Sequence, residues 1–299
     1  MIVVFGSVAI DLVTNVDRLP KPGETVLCGG YVLVPGSKGG NQAVAAARAG
    51  AKVAHIGTCG KDEFAALATS TLLSSGVDLS HHRTGNAPTC VCLITVDRKA
   101  ENSIVVASGA NMETTVDQLE QCQFGAGDTV ILQREIRDEE TFAAVALAKQ
   151  RGARVVLNVA PASPVPADIL KMLDILIVNE HEATVVAQAA GIDSADPVVA
   201  ARELNRIFGC TTVVTLGPEG AVGWKAHERY AVEAPKVEAI DTTAAGDSFI
   251  GAFAAALDLG MSFEVALQRG VIAGSLCCTK AGAQPSIPYA KDIDLLVAA

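Results

Sequence analysis

Short β-branched, apolar runs alternate with stretches of helical periodicity along most of this chain. Ile2–Val8, Val53–Gly57, Thr129–Gln133, Arg154–Val159, Ile175–Val178 and Thr212–Leu216 are apolar almost throughout, the pattern of strands buried on both faces. Between them, Asn41–Ala49, Glu63–Ser75, Glu140–Arg151, Pro166–Leu173, Glu180–Ala190 and Asp196–Phe208 read as helices. That alternation predicts an α/β fold with a mostly parallel sheet covered by helices on both faces. Two regions break the rhythm. Val26–Val34, and Cys90–Val96 with Ile104–Ala107, are strand-like with no helix between them. They suit a small antiparallel sheet outside the main one, such as a lid, or an edge extension of the main sheet.

The last strong helical pattern carries the most chemistry. In DTTAAGDSFIGAFAAAL, Asp241 to Leu257, five small residues (Thr242, Thr243, Ala244, Ala245, Gly246) lead into Asp247. Phe249, Phe253 and Leu257 then recur at helical spacing, and Gly260 closes the helix. The first N–H groups of a helix have no internal partner, and small side chains let an anion approach them closely. Asp247 would sit beside that anion, placed to take a proton from a group attacking it. This pattern reads as a phosphoryl-transfer site.

Composition narrows the alternatives. With 299 residues, half of them hydrophobic, the chain can bury a core of one large α/β domain or two smaller ones. A formal charge of −10 without a basic cluster argues against nucleic acid or acidic membranes as partners. The opening MIVVFGSVAIDLV is interrupted by Asp11 and lacks a preceding cationic region, so a buried first strand explains it better than a signal peptide. No apolar run approaches the ~18 residues of a membrane span. The eight cysteines form no CxxC pair, and His81-His82 lie beside no ligand-spaced cysteine. They read as reduced, mostly buried thiols of a cytoplasmic protein.

Nucleotide-binding signatures are informative by what they lack. There is no G-x-x-x-x-G-K-[ST] loop and no G-x-G-x-x-G after the first strand, which disfavours P-loop and dinucleotide-binding Rossmann enzymes. The string GSKGGNQAVAAARAG, from Gly36, reads first as a helix start: Gly39 and Gly40 permit a tight turn, Asn41 starts the helix and Gly50 ends it. Lys38 and Asn41 at such a strand-to-helix junction could instead grip hydroxyls of a small polar ligand.

Taken together and in order, these strings resemble the ribokinase family of carbohydrate kinases over nearly the whole chain. The resemblance runs through GSVAID and RLPKPGET, GSKGGNQAVAAARAGA, NVAPAS at Asn158–Ser163, NEHEA at Asn179–Ala183, TLGPEG at Thr215–Gly220, DTTAAGDSF and KAGAQPSIP at Lys280–Pro288. It implies a three-layer α/β/α sandwich with a small β-sheet lid over the sugar, often shared in a homodimer. It also implies one kinase domain over 1–299, with lid segments at about 12–35 and 88–108, and ATP and a small sugar as its partners.

The residue roles that follow are implied by that resemblance. Asp247 matches the base that takes the proton from a sugar's primary hydroxyl, and the N–H groups of Ala244, Ala245 and Gly246 match the anion hole. Asn179 and Glu182 match an N-x-x-E element that organises Mg²⁺, largely through water; as bare residues they could equally cap a helix. Thr215, Leu216, Gly217, Pro218, Glu219 and Gly220 match the ATP loop, which Asn179 and Gly246 adjoin. Asp11, Lys38, Gly39, Gly40, Asn41 and Glu135 match positions that hold sugar hydroxyls, together with Asp247. Oxygens of Asp241, Thr243, Cys277, Lys280, Gly282 and Ser286 match a monovalent-cation site, for K⁺ or a similar ion, that orders the anion-hole loop.

The departures bear on substrate choice. Ala9 stands where the family usually has Asn, removing a hydroxyl partner and opening space; Ser37 stands for a usual glycine. Arg134 replaces an apolar residue and, in a strand, would point away from Glu135. Val271 stands where a polar group often lies near adenine. The sequence thus points to an ATP-dependent kinase of a small carbohydrate, D-ribose first, with another pentose, a ketohexose, a phosphosugar or a nucleoside as alternatives. Only scattered Arg83, Arg98 and Lys99 answer a phosphosugar's need for a basic cluster, and 4% aromatics offer no evident shelf for a nucleobase. A catalytically inactive sugar-binding regulator would require loss of Asp247 or a filled anion hole.

Overall fold

The apolar runs expected to be doubly buried do pack side by side, and successive residues serve opposite faces. Ile2 and Val4 join one hydrophobic core while Val3 and Phe5 join the other, as do Ile131 and Val156 against Val130 and Val155. The structure is a computed structural model that describes residues 1–99 and 101–298. Its first strands in chain order are β1 (Ile2–Phe5), β2 (Ala9–Asn15), β3 (Tyr31–Gly36), β4 (Val53–Ile56), β5 (Thr58–Cys59), β6 (Arg83–Thr84), β7 (Cys90–Val96) and β8 (Asn102–Ala107). There follow β9 (Thr129–Leu132), β10 (Arg154–Asn158), β11 (Ile175–Asn179), β12 (Thr211–Thr215), β13 (Ala221–Lys225) and β14 (Glu228–Val232).

The main sheet has the order β14-β13-β12-β11-β10-β9-β1-β4. It is parallel from β4 to β12, and antiparallel at the β13–β14 edge. Helices Lys38–Arg48, Ala245–Asp258 and Phe263–Cys277 cover one face; Asp138–Gln150, Glu180–Ala189 and Pro197–Phe208 cover the other. This is the three-layer α/β/α arrangement expected. Ala43, Ala45 and Ala46 on one helix and Ala252, Ala254, Ala255 and Ala256 on the other let the first two helices approach closely.

A second, separate sheet has the order β3-β2-β7-β8, so the edge-extension alternative does not hold. Nor is it wholly antiparallel: β2 runs parallel to β7, with Ala9 opposite Cys90 and Asp11 opposite Cys92. Its strands differ from the expected segments. The first apolar run leaves the main sheet after Phe5, and Gly6–Val8 bridges to β2 in the second sheet, which therefore begins at Ala9. Val26–Gly30 is not strand; β3 begins only at Tyr31, after the paired glycines 29 and 30. Residue 100, within the expected lid segment, and residue 299 lie outside the described residues.

Two further differences have local causes. Helix Lys38–Arg48 begins three residues before Asn41 because Ser37 caps it, its hydroxyl accepting the Gly40 N–H at 3.1 Å. Helices Val116–Gln121, Phe263–Cys277 and Ala290–Val297 went unread, the second because it is apolar on nearly every side and shows little periodicity. No helix among the described residues is long and apolar enough to cross a membrane.

Candidate active site

The polar residues of the strings converge where the parallel strands end, at their carboxyl edge. Asn158 ends β10, Asn179 ends β11 and Thr215 ends β12. Helix Ala245–Asp258 starts opposite them. Ala244 caps it in the left-handed region (φ 61°), which turns the chain sharply into the helix. The N–H groups of Ala244, Gly246 and Asp247 have no hydrogen-bond partner among the described residues, whereas the Ala245 N–H donates to the Thr242 carbonyl at 3.2 Å. Of the three expected anion-hole donors, then, Ala245 is engaged in a turn and the Asp247 N–H is free in addition. The space in front of Gly246 is open.

A cavity of about 240 Å³ lies at this helix start, lined by Lys38, Asn179, Glu182, Thr215, Gly246 and Asp247 among others. Leu216, Gly217, Pro218, Glu219 and Gly220 do not line it; they form the turn just beyond β12, closed by the Leu216 N–H donating to the Gly220 carbonyl at 2.8 Å. Asn179 and Glu182 make a reciprocal capping box, so the helix-cap reading of this pair is correct. Both also line the cavity. Burial raises the Glu182 carboxyl above its ordinary range, against the pull of the Asn179 N–H and Lys38.

Asp247 is nearly buried and doubly held. Asn41 Nδ2 donates to one carboxylate oxygen and Gln42 Nε2 to the other, both at 2.9 Å. Burial pushes its pKa up, opposed by Lys38 and these two amides. Gln42 was not singled out from the sequence. Its signal was there: it lies four residues after Lys38, hence on the same helix face, and is the last polar residue before the run AVAAA. Gln133 Nε2 in turn donates to Gln42 Oε1 at 2.7 Å, so the amide that grips Asp247 is itself oriented.

The expected sugar-side residues gather on the far side of Lys38. Glu135 accepts the Ser7 hydroxyl at 2.6 Å and the Lys38 N–H at 2.9 Å. Gly39 is packed against the β1–β2 connection so tightly that a Cβ would meet the Ser7 carbonyl oxygen at 2.5 Å. Gly40 is held by its N–H on Ser37. Asn41 Oδ1 is buried without a partner among the described residues, an acceptor available to a hydroxyl. Burial lifts Asp11 to about 6; nearby Glu135 and Asp247 add to the rise, and Cys92 and Lys38 oppose it. Lys38 is pulled down by burial, but Asp247, Glu135 and Glu182 outweigh that and hold it above the usual lysine range. Lys38 thus faces Asp11, Glu135, Glu182 and Asp247 together.

The four departures each take a defined place in the fold. Ala9 is 1% exposed and paired between Cys90 on β7 and Gly36 on β3, so the small side chain leaves no open space at the surface. Ser37 sits at φ 81°, ψ 150°, a conformation that favours glycine, and its hydroxyl offsets the strain by bonding the Ser7 carbonyl and the Gly40 N–H. Arg134 does point away from Glu135, but it lies in a bend past β9, ion-paired to Asp138 at 2.6 Å and stacked on Phe142. Val271 is buried within helix Phe263–Cys277, part of the core.

The expected cation ligands also come together. Asp241 accepts the Thr243 N–H and hydroxyl and, through its other oxygen, the Gly282 N–H at 2.8 Å. These bonds outweigh burial and hold its carboxyl below the ordinary range. The Cys277 thiol lies 3.4 Å from the Thr243 carbonyl and 2.9 Å from the Ser286 hydroxyl. The Lys280 N–H closes the adjoining turn on the Cys277 carbonyl.

Comparison with known proteins is consistent along the whole chain. The model of the pfkB family of carbohydrate kinases matches residues 1–290. A ribokinase of Haemophilus influenzae is 38% identical over 288 residues, covering 95% of this chain and 94% of its own. The crystal structure of Thermotoga maritima ribokinase superposes with a TM-score of 0.90 at 31% identity, covering 100% of this chain and 99% of that one. Arabidopsis thaliana ribokinase complexed with ribose and ATP gives 0.88 at 31%, covering 100% and 98%.

Proposed function

The chain belongs to the pfkB family of carbohydrate kinases, enzymes that transfer phosphate to a hydroxyl acceptor, and on that premise we propose that it phosphorylates the primary hydroxyl of D-ribose from ATP, yielding ribose 5-phosphate. The observation that carries this reading is Asp247, held by Asn41 and Gln42 at a helix start where the Ala244, Gly246 and Asp247 N–H groups have no partner among the described residues. In this reading Asp247 accepts the hydroxyl proton, and its raised pKa makes it a better base than an exposed carboxylate. Gly246 and its neighbours receive the charge that develops on the transferred group, and Lys38 balances the carboxylates. Asp11, Gly39, Gly40, Asn41 and Glu135 orient the sugar, and Thr215 to Gly220 carry the nucleotide.

Glu182 and Asn179 suit Mg²⁺. No group of three or more acidic, His or Cys side chains could hold a metal alone among the described residues. One buried carboxylate beside the phosphate cavity matches an ion completed by water and nucleotide oxygens. Bound there, the ion would neutralise phosphate charge. The convergent oxygens around Asp241, Thr243 and Ser286 suit K⁺, whose role would be to hold the 241–246 loop in shape.

We take 1–299 as one kinase domain, located in the cytoplasm in keeping with its free thiols, with the segments at about 12–35 and 88–108, which carry most of the second sheet, as the sugar lid. The outer strand β8 is exposed along its whole length, so Ile104, Val105 and Val106 form an apolar, unpaired edge, while the exposed Tyr31 and Val32 lie on β3 at the opposite edge of the same sheet. Such an edge invites pairing, and we assign it to a homodimer. Val105→Lys is expected to move the sedimenting species from dimer to monomer; an unchanged dimer, or a monomeric wild type, removes this assignment.

A second reading follows from Ala9: a buried methyl group where the family's amide would meet a hydroxyl favours a pentose lacking one. The deciding assay measures ADP release from MgATP with D-ribose, 2-deoxy-D-ribose and a panel of ketohexoses, phosphosugars and nucleosides, with and without K⁺. Potassium-stimulated turnover highest on ribose is expected. Higher kcat/KM on deoxyribose favours the second reading, and turnover on neither pentose defeats both.

A further inference from the structure

Ser7, on the bridge between the two sheets, is the point where the sugar-side elements meet. Its hydroxyl donates to Glu135 at 2.6 Å and accepts the Gly39 N–H at 3.1 Å. Its carbonyl lies 3.0 Å from the Ser37 hydroxyl and 3.1 Å from Nε2 of His55. Val8 is fixed beside it, its N–H donating to Asn111 Oδ1 at 3.0 Å. His55 is fully buried on β4, and its Nδ1 lies 2.7 Å from Nε2 of the half-buried His82. These contacts allow one assignment of protons. A carbonyl can only accept, so His55 carries its proton on Nε2; its Nδ1 is then an acceptor, and His82 must donate from Nε2.

We propose that His55 and His82 are positioning residues for the sugar site: a two-imidazole relay that orients the Ser7 carbonyl and, through Ser7, sets Glu135 and the Lys38–Gly39 turn. The inference rests on the sugar-kinase reading above. The relay runs inward from the surface, and neither ring touches the cavity beside Asp247. The Ser7 carbonyl fixes the tautomer of His55, and His82 governs the relay because its donated bond holds the His55 ring in line from the opposite side. Without that donor, His55 Nδ1 is left buried and unpaired, the ring is no longer held in line, and its bond to the Ser7 carbonyl weakens. Burial keeps both rings neutral near neutral pH: it draws His82 down to about 4, and burial together with His82 holds His55 well below its ordinary range.

The test uses His82→Leu and His82→Gln, the second of which restores an N–H at a comparable reach. Two readouts are taken: amide hydrogen exchange at Lys38 and Gly39 in the ligand-free protein, and steady-state kinetics for each substrate. His82→Leu is expected to speed exchange at Lys38 and Gly39 by about tenfold, and to raise the sugar KM by about as much, as befits one lost buried hydrogen bond. The ATP KM and kcat stay within about twofold, since the phosphate side does not depend on Ser7. His82→Gln returns both readouts towards wild type. Unchanged exchange in His82→Leu overturns the relay, as does a loss spread equally over sugar KM, ATP KM and kcat. If wild type turns over no sugar, the kinase reading fails by itself, and the exchange arm with its glutamine rescue still decides whether the relay orders the turn.

Discussion

Asp247→Asn is expected to lower turnover by about 10²–10⁴-fold, the usual worth of a general base, while nucleotide affinity stays near wild type. Asparagine keeps the volume of the side chain but loses the charge that takes the proton. It also turns one acceptor into an NH₂ group facing Asn41 Nδ2 or Gln42 Nε2, both of which donate in the native arrangement. One of those amides must flip or lose its partner, so a modest loss of stability accompanies the loss of rate, about 1–3 kcal/mol for an unsatisfied buried group. The measurement is kcat on the best sugar beside ATP affinity by calorimetry. Turnover within about tenfold of wild type would remove Asp247 from the role of base. An equal collapse of ATP affinity would mean that the carboxylate mainly shapes the anion-binding loop.

The second large effect is expected from Gly251→Ala, away from any substrate. Gly251 lies on helix Ala245–Asp258 where it crosses helix Lys38–Arg48. A Cβ there would sit 2.4 Å from the Ala45 Cβ, 2.6 Å from the Ala46 nitrogen and 2.7 Å from the Gln42 carbonyl oxygen. Two of these are backbone atoms and cannot rotate aside, so the helices must separate. Overpacking of this kind costs about 1–3 kcal/mol. Gln42 belongs to the displaced turn, and its side chain orients Asp247. The rate should therefore fall with the stability, by about 10–100-fold in kcat, as sub-ångström misplacement of a catalytic group commonly does. Urea unfolding with an unchanged m-value and a lower midpoint, measured beside kcat, checks both. A variant as stable and as active as wild type would refute the tight crossing.

The pairing of these two predictions shows how the site is built. The base is presented by one helix and oriented by another, and the contact between the two helices is made of alanine and glycine because larger residues would hold them apart. The same economy recurs at Gly39, where the turn leaves no room for a side chain against Ser7. Small residues that look featureless in the string GSKGGNQAVAAARAG thus set the position of the groups that do the chemistry.

Much of this could be read from the chain alone, for identifiable reasons. Apolar runs such as Ile175–Val178 announce a buried parallel sheet because no other environment accepts so many β-branched residues in succession. The small residues before Asp247 announce an anion-accepting helix start because the free N–H groups are a property of any helix end. The mixed direction of the lid sheet, the departure of the chain from the main sheet after Phe5 and the engagement of the Ala245 N–H were not legible, since each depends on which distant strand or carbonyl becomes the neighbour. Likewise Gln42, Ser7, His55 and His82 are ordinary polar residues in local sequence, and they acquire partners 27 to 205 positions away only when the helices and strands are assembled. Periodicity and helix-end chemistry are local and survive in a one-dimensional string; hydrogen-bond partners across the fold are not, and packing alone assigns them.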